Sequence, residues 1–143
     1  MKQTERGQTT VFFTLILTGL LILTAVAIEV GRIVYARGEV GKAADAAALA
    51  AAARINVPLY RETGQLVFLP DVYGNAQDVA TMNASYLAVR SIPVTVTGIS
   101  IDESTQMVRV SVTANLSSLI PGVLHFNGQY TVVAYARARM DGQ

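Results

Sequence analysis

Cysteine and tryptophan are absent from the 143 residues, and histidine occurs once, at His125. Without cysteine there is no disulfide framework and no thiolate metal site, and any redox compartment is tolerated. A lone histidine, with no acidic pair at helical spacing beside it, gives no metal-ligand set. No Gly-Lys-Ser/Thr phosphate loop and no Gly-x-Ser-x-Gly elbow occurs. Charge is also scarce: 15% of residues are charged and the net charge is +1, against about 25% charged residues in soluble domains. No basic stretch is interleaved with aromatics, so the electrostatic footprint of a nucleic-acid binder is missing. These absences predict no catalytic, cofactor-binding or metal residues, no cofactor, no small-molecule substrate and no nucleic-acid partner. An enzyme is the least favoured class.

The other shortage is of helix breakers near the start. No proline occurs before Pro58, and no charge occurs from Gln8 to Ile28, a run of 21 residues. A bilayer core of roughly 30 Å needs about 20 apolar residues at 1.5 Å each. Val11 to Ile28 meets that need, and Thr14, Thr18 and Thr24 are tolerated there because their hydroxyls can bond back to helix carbonyls. The chain is 52% hydrophobic with a mean hydropathy of +0.41. A retained membrane anchor is therefore expected. The rival is a cleaved signal peptide, with Ala25-Val-Ala27 as its one small-residue site. Lys and Arg flank both ends of the span, so charge alone does not orient it. The short N-terminus and the larger following domain favour N-in, C-out, a single pass in the cell membrane.

The helical pattern then runs on. Val30, Ile33, Val34, Val40, Ala44, Ala47, Ala48, Ala51 and Ile55 recur at helical spacing. Glu29 with Arg32, Glu39 with Lys42 and Lys42 with Asp45 stand at i,i+3. Gly31, Gly38 and Gly41 each weaken a helix by about 1 kcal/mol relative to alanine. They predict a bend above the membrane, close approach of another helix or, equally, a surface helix with a few tolerated glycines. Ala44, Ala48 and Ala52, spaced i,i+4, are the candidate helix–helix contact. Glu29 and Arg32 are candidates for snorkelling at the interface or for an intersubunit ion pair. Asp45 is either a partner for a basic residue of a neighbouring subunit or an exposed charge paired with Lys42.

Pro58 and the segment Arg61 to Gly64 predict the end of this helix, and Gln65 to Leu69 a short edge strand. Asn75 is the expected N-cap of a second helix, whose buried face is read as Val79, Met82, Tyr86 and Val89. Beyond Pro93 the period becomes two. Val94 to Ile101 is a strand with a bulge at Gly98, and Val108, Val110 and Val112 face one way in the next strand. Leu116 to Val123 reads as a turn of helix and a loop around Pro121-Gly122. Gln129 to Ala138 is a further strand, with Tyr130, Val132, Ala134 and Ala136 on one face. Asn83-Ala-Ser85 and Asn115-Leu-Ser117 fit the N-glycosylation triplet, which matters only in a host with the machinery.

The fold class expected is α+β. A long N-terminal transmembrane and assembly helix precedes a small head, with one helix packed on a three- to four-stranded antiparallel sheet. The divisions are a tail and span at 1–28, an alanine-rich continuation at 29–57, and the head at 58–143.

Residues 5–54 also resemble a known family. Arg6-Gly-Gln8, the apolar run, Glu29-Val-Gly-Arg32, and the block from Ala43 to Ala52 are similar to the Tad (Flp) pilus-assembly proteins, the TadE/TadG-like family. Glu29 stands where the family typically has aspartate. The resemblance implies a membrane-inserted, pseudopilin-like component of a bacterial pilus or secretion apparatus. Its partners would be membrane lipid and copies of itself or other pilin-like subunits, and it would reach an extracellular filament after assembly. Some relatives are cut after a glycine; Gly7 is the matching position, while Phe12 stands where pilin-type processing wants glutamate. The alternative is a membrane-anchored extracytoplasmic binding module, with Arg109, Arg137 and Arg139 as contacts if they share a face.

Overall fold

The computed structural model describes residues 4–120 and 128–140, with side chains described from Gly7 onward. The readings placed on the Arg6 side chain, on Pro121-Gly122 and on His125 lie outside the described residues. Helix α1 runs without a break from Thr4 to Ala52, 49 residues, a rod of about 74 Å. It passes through Gly31, Gly38 and Gly41 as regular helix, because alanine and leucine on either side sustain it. Then come α2 (Val57–Thr63), α3 (Val72–Asn83) and α4 (Ser85–Val89), followed by β1 (Val94–Asp102), β2 (Met107–Ser117) and β3 (Gln129–Arg139). The architecture is α+β, as expected: one helical layer on one face of an antiparallel sheet of order β1-β2-β3.

Pro58 opens a helix rather than ending one. The Asn56 side chain accepts a hydrogen bond from the Leu59 N–H at 3.1 Å, and proline suits the first turn, where no amide hydrogen is needed. Gly64 closes α2 in the left-handed conformation, φ 72°, which glycine adopts without steric penalty. The expected edge strand at Gln65–Leu69 is reduced to one bridge, Ile55 to Phe68.

Helix α3 starts at Val72, a turn earlier than Asn75, with Asp71 at its N-cap. Its buried face also differs from expectation. Ala76, Ala80, Ala84 and, in α4, Leu87 are buried, whereas Met82 and Val89 are exposed. The reason is the partner. The alanine face of α1 (Ala43, Ala44, Ala47, Ala48, Ala51) is fully buried and packs on α3 and on the sheet. Two alanine faces bring helix axes closer than larger side chains permit.

The sheet follows its alternation. Val108, Val110, Val112, Ala114 and Leu116 are buried on the inner face, and β2 runs on to Ser117 where a helical turn was expected. The register of β1 on β2 shifts between Val96 and Gly98, as the glycine predicts. A Cβ at Gly98 would stand 2.9 Å from the Ser111 Oγ. The strands run along α1. The N–H of Leu119, just past β2, meets Glu29, and Gln106 and Met140, at the other end of the sheet, line a recess with Ala52. Glu29 to Ala52 rises about 35 Å and Met107 to Ser117 about 33 Å.

Candidate functional site

The feature that organises function is α1 itself, which meets two environments. From Gly7 to Thr24 every side chain is exposed, including Leu15 at 66% and Leu23 at 67%. The helix is long and apolar enough to cross a membrane, and its most apolar window is 0% buried. Thr14, Thr18 and Thr24 donate to the carbonyls of Thr10, Thr14 and Leu20 at 2.8–2.9 Å. Each polar hydroxyl in the span is thus satisfied within the helix. From Ala36 upward the same helix is the centre of the head's core.

Glu29 marks the junction. It is 2% exposed, and an unpaired carboxylate at that depth would be expensive. Arg32 donates to its Oε2 at 3.0 Å, and the backbone N–H of Leu119 donates to Oε1 and Oε2 at 3.2 and 3.3 Å. Glu29 therefore fastens the membrane-proximal end of the helix to the segment after β2, within one chain. Ten residues on, buried Glu39 accepts from Lys42 at 2.6 Å, and the lysine side chain stays largely in solvent. Asp45 is exposed and takes no part in that pair.

The small residues separate by face. Ala44 and Ala48 are buried against the chain's own head and Ala52 is half-buried. Gly31, Val34 and Gly38, on a stripe turned away from the core, are exposed. A Cβ on Gly31, Gly38 or Gly41 would meet nothing within 4 Å, so the chain's own packing makes no use of their smallness. Gly7 is likewise exposed.

At the membrane-distal end of the sheet, Arg109, Arg137 and Arg139 share the outer face. Arg109 stands directly opposite Arg137 and Met107 opposite Arg139. Arg109 also pairs with Asp102. The Asp102 carboxyl is lowered from 3.8 to about 2, first by the Ser104 hydroxyl and further by Thr105 and Arg109.

Sequence reading misses three contacts. Glu29 meets Leu119 across 90 positions, and only the isolated charge closing an uncharged run hints at it. The Gln77 side chain donates to the Val94 carbonyl and accepts from the Val96 N–H, both at 2.8 Å. Tyr35 of α1 packs edge-on against Tyr86, 4.2 Å between centroids, with Arg90 over the Tyr86 ring at 3.7 Å. The last two leave no pattern in the sequence.

No curated protein and no solved structure matches the chain. Over residues 7–54, the span and the alanine block together, the sequence matches the family described as "Putative Flp pilus-assembly TadE/G-like", so the chain carries a Tad-like segment at its N-terminus and with it a tie to pilus assembly.

Proposed function

We propose that the protein is a structural, pilin-like subunit of a Tad-type pilus or related surface filament or secretion apparatus, assembling through α1. The observation that carries this is the exposed apolar length of that helix, continuous with a head it also builds. Before assembly the span sits in lipid, N-in and C-out. After assembly other subunits' helices replace the lipid, and the outward stripe through Gly31, Val34 and Gly38 lets them come close. In this reading the protein turns over no substrate and holds no cofactor.

A second reading is a membrane-anchored binding module. It is favoured by the burial of Ala44 and Ala48 against the chain's own head. A photo-crosslinking side chain placed at Val34 separates the two in living cells. The subunit reading expects adducts with further copies or other pilin-like chains, recovered also from sheared surface filaments. Membrane-bound monomer alone, or adducts only with unrelated proteins, contradicts it.

A further inference from the structure

The two edges of the sheet are treated differently. Of the outward backbone groups of β1, helix α3 covers those of Val94, Val96 and Ile99. Gln77 binds the Val94 carbonyl and the Val96 N–H as the peptide of a neighbouring strand would. The Tyr73 hydroxyl reaches Ile99 N and O at 3.4 and 3.5 Å, and the bulge at Gly98 breaks the edge. Together these are ways of closing an edge to further pairing.

Among the described residues, β3 has no such cover. Its register with β2 runs through 11 consecutive pairs without a shift. Ser118 donates to the Gly128 carbonyl and Met140 to the Gln106 carbonyl, which sets the phase. Even-numbered residues of β3 bond to β2, and Thr131, Val133, Tyr135 and Arg137 direct their N–H and C=O groups away from it. All four are exposed, Tyr135 at 81%. Between Thr131 and Arg137, among the described residues, no side chain is hydrogen-bonded to these outward groups, and the strand contains no proline.

We propose that the β3 edge is a docking surface for an extended, acidic segment of a partner protein, which adds to the sheet as a fourth strand. Charge selects the occupant. A strand beside β3 places alternate side chains next to Arg137 and Arg139, with Arg109 behind Arg137 across the β2–β3 pair. Like charges placed opposite one another destabilise a sheet; Asp102 already offsets Arg109, and carboxylates of an added strand would offset Arg137. A second copy is the wrong occupant. The strands stand along α1, so copies anchored in one membrane share a direction, and in-register parallel pairing would set Arg137 against Arg137. Antiparallel pairing would invert one anchor. The inference stands whether or not the chain polymerises, because it concerns the head alone.

The test uses the full chain in lipid nanodiscs and blocked heptapeptides of sequence Thr-Val-Glu-Val-Glu-Val-Thr, the same with lysine for glutamate, and an N-methylated form of the first. The acidic peptide should bind at least about tenfold tighter than the lysine peptide, more weakly as salt rises, and should slow amide exchange at Val133 and Tyr135. The N-methylated form should fail. Tyr135→Pro, which removes one outward N–H and no ladder bond, should abolish binding. Arg137→Glu, a surface change independent of strand geometry, should reverse the peptide preference. Equal binding of the lysine peptide, binding without protection at Val133 and Tyr135, or slow exchange of these amides in a peptide-free dimer would each overturn the proposal.

Discussion

The lower and upper halves of α1 are one helix with one backbone geometry, yet they are held by different things. From Val11 to Leu23 large apolar side chains point outward in every direction and none is buried. From Ala36 to Ala51 the buried apolar side chains are alanine and one valine, and they carry the head's core, with Glu39 the one buried charge among them. Large residues suit a fluid apolar solvent, where only transfer matters. Small residues suit a solid one, where the closeness of the neighbour decides packing. The lesson is that hydrophobicity alone locates the first half, while the second half is defined by the size of its side chains.

The strongest way to break this comparison is to change each half and read the other. Leu17→Arg places a charge near the middle of the span. Insertion should become less favourable by about 3 kcal/mol, seen as loss from the membrane fraction, while the urea midpoint of the head in detergent stays where it was. Ala48→Leu does the reverse. Overpacking a closed contact typically costs about 1–3 kcal/mol, so the head should unfold at lower urea with insertion intact. An unchanged midpoint would mean that the alanine block is only a good helix former.

The junction gives the next effect. Glu29→Ala leaves Arg32 without its partner and the Leu119 N–H without its acceptor, a loss of about 1–3 kcal/mol. Amide exchange at Leu119 should speed up, while Val108 and Val110 in the core of the sheet are less affected. Uniform change across the head would show that Glu29 supports more than the junction.

The smallest effect is far from the membrane. The Asp102 carboxyl is lowered from 3.8 to about 2 in the folded chain. A depressed acid contributes stability above its unfolded value, and that contribution fades as pH falls from about 4 toward about 2. Local exchange at Ser104 and Thr105 should rise across that window, and Asp102→Asn should flatten the response.

Much of this organisation is legible before any coordinates. The span follows from the missing charges between Gln8 and Ile28. The strands follow from alternation, down to the bulge at Gly98 and the exposed Thr131, Val133, Tyr135 and Arg137. The face of α3 is not legible, because periodicity weighs Met82 and Val89 above Ala76 and Ala80, whereas burial followed the alanine surface opposite. Pro58 misleads for a related reason: the same fixed φ that stops one helix starts the next when Asn56 caps it. Of the candidate site residues, the i,i+3 pairing of Glu29 with Arg32 is readable from spacing. Its third partner is not, since nothing local links Glu29 to Leu119. Ala44 and Ala48 are readable as a close contact, but the surface they contact is supplied by α3 and the sheet, distant along the chain.

Because the chain has no cysteine, single cysteines at Leu17, Val34 and Ala44 can report each environment. The measurement is labelling by a charged maleimide in bilayers, with and without urea enough to unfold the head. The account predicts immediate labelling at Val34→Cys, labelling at Ala44→Cys only in urea, and protection of Leu17→Cys in both. Protection of Ala44→Cys that survives urea, or exposure of Leu17→Cys when the head unfolds, would contradict the division of α1 into a half held by lipid and a half held by its own head.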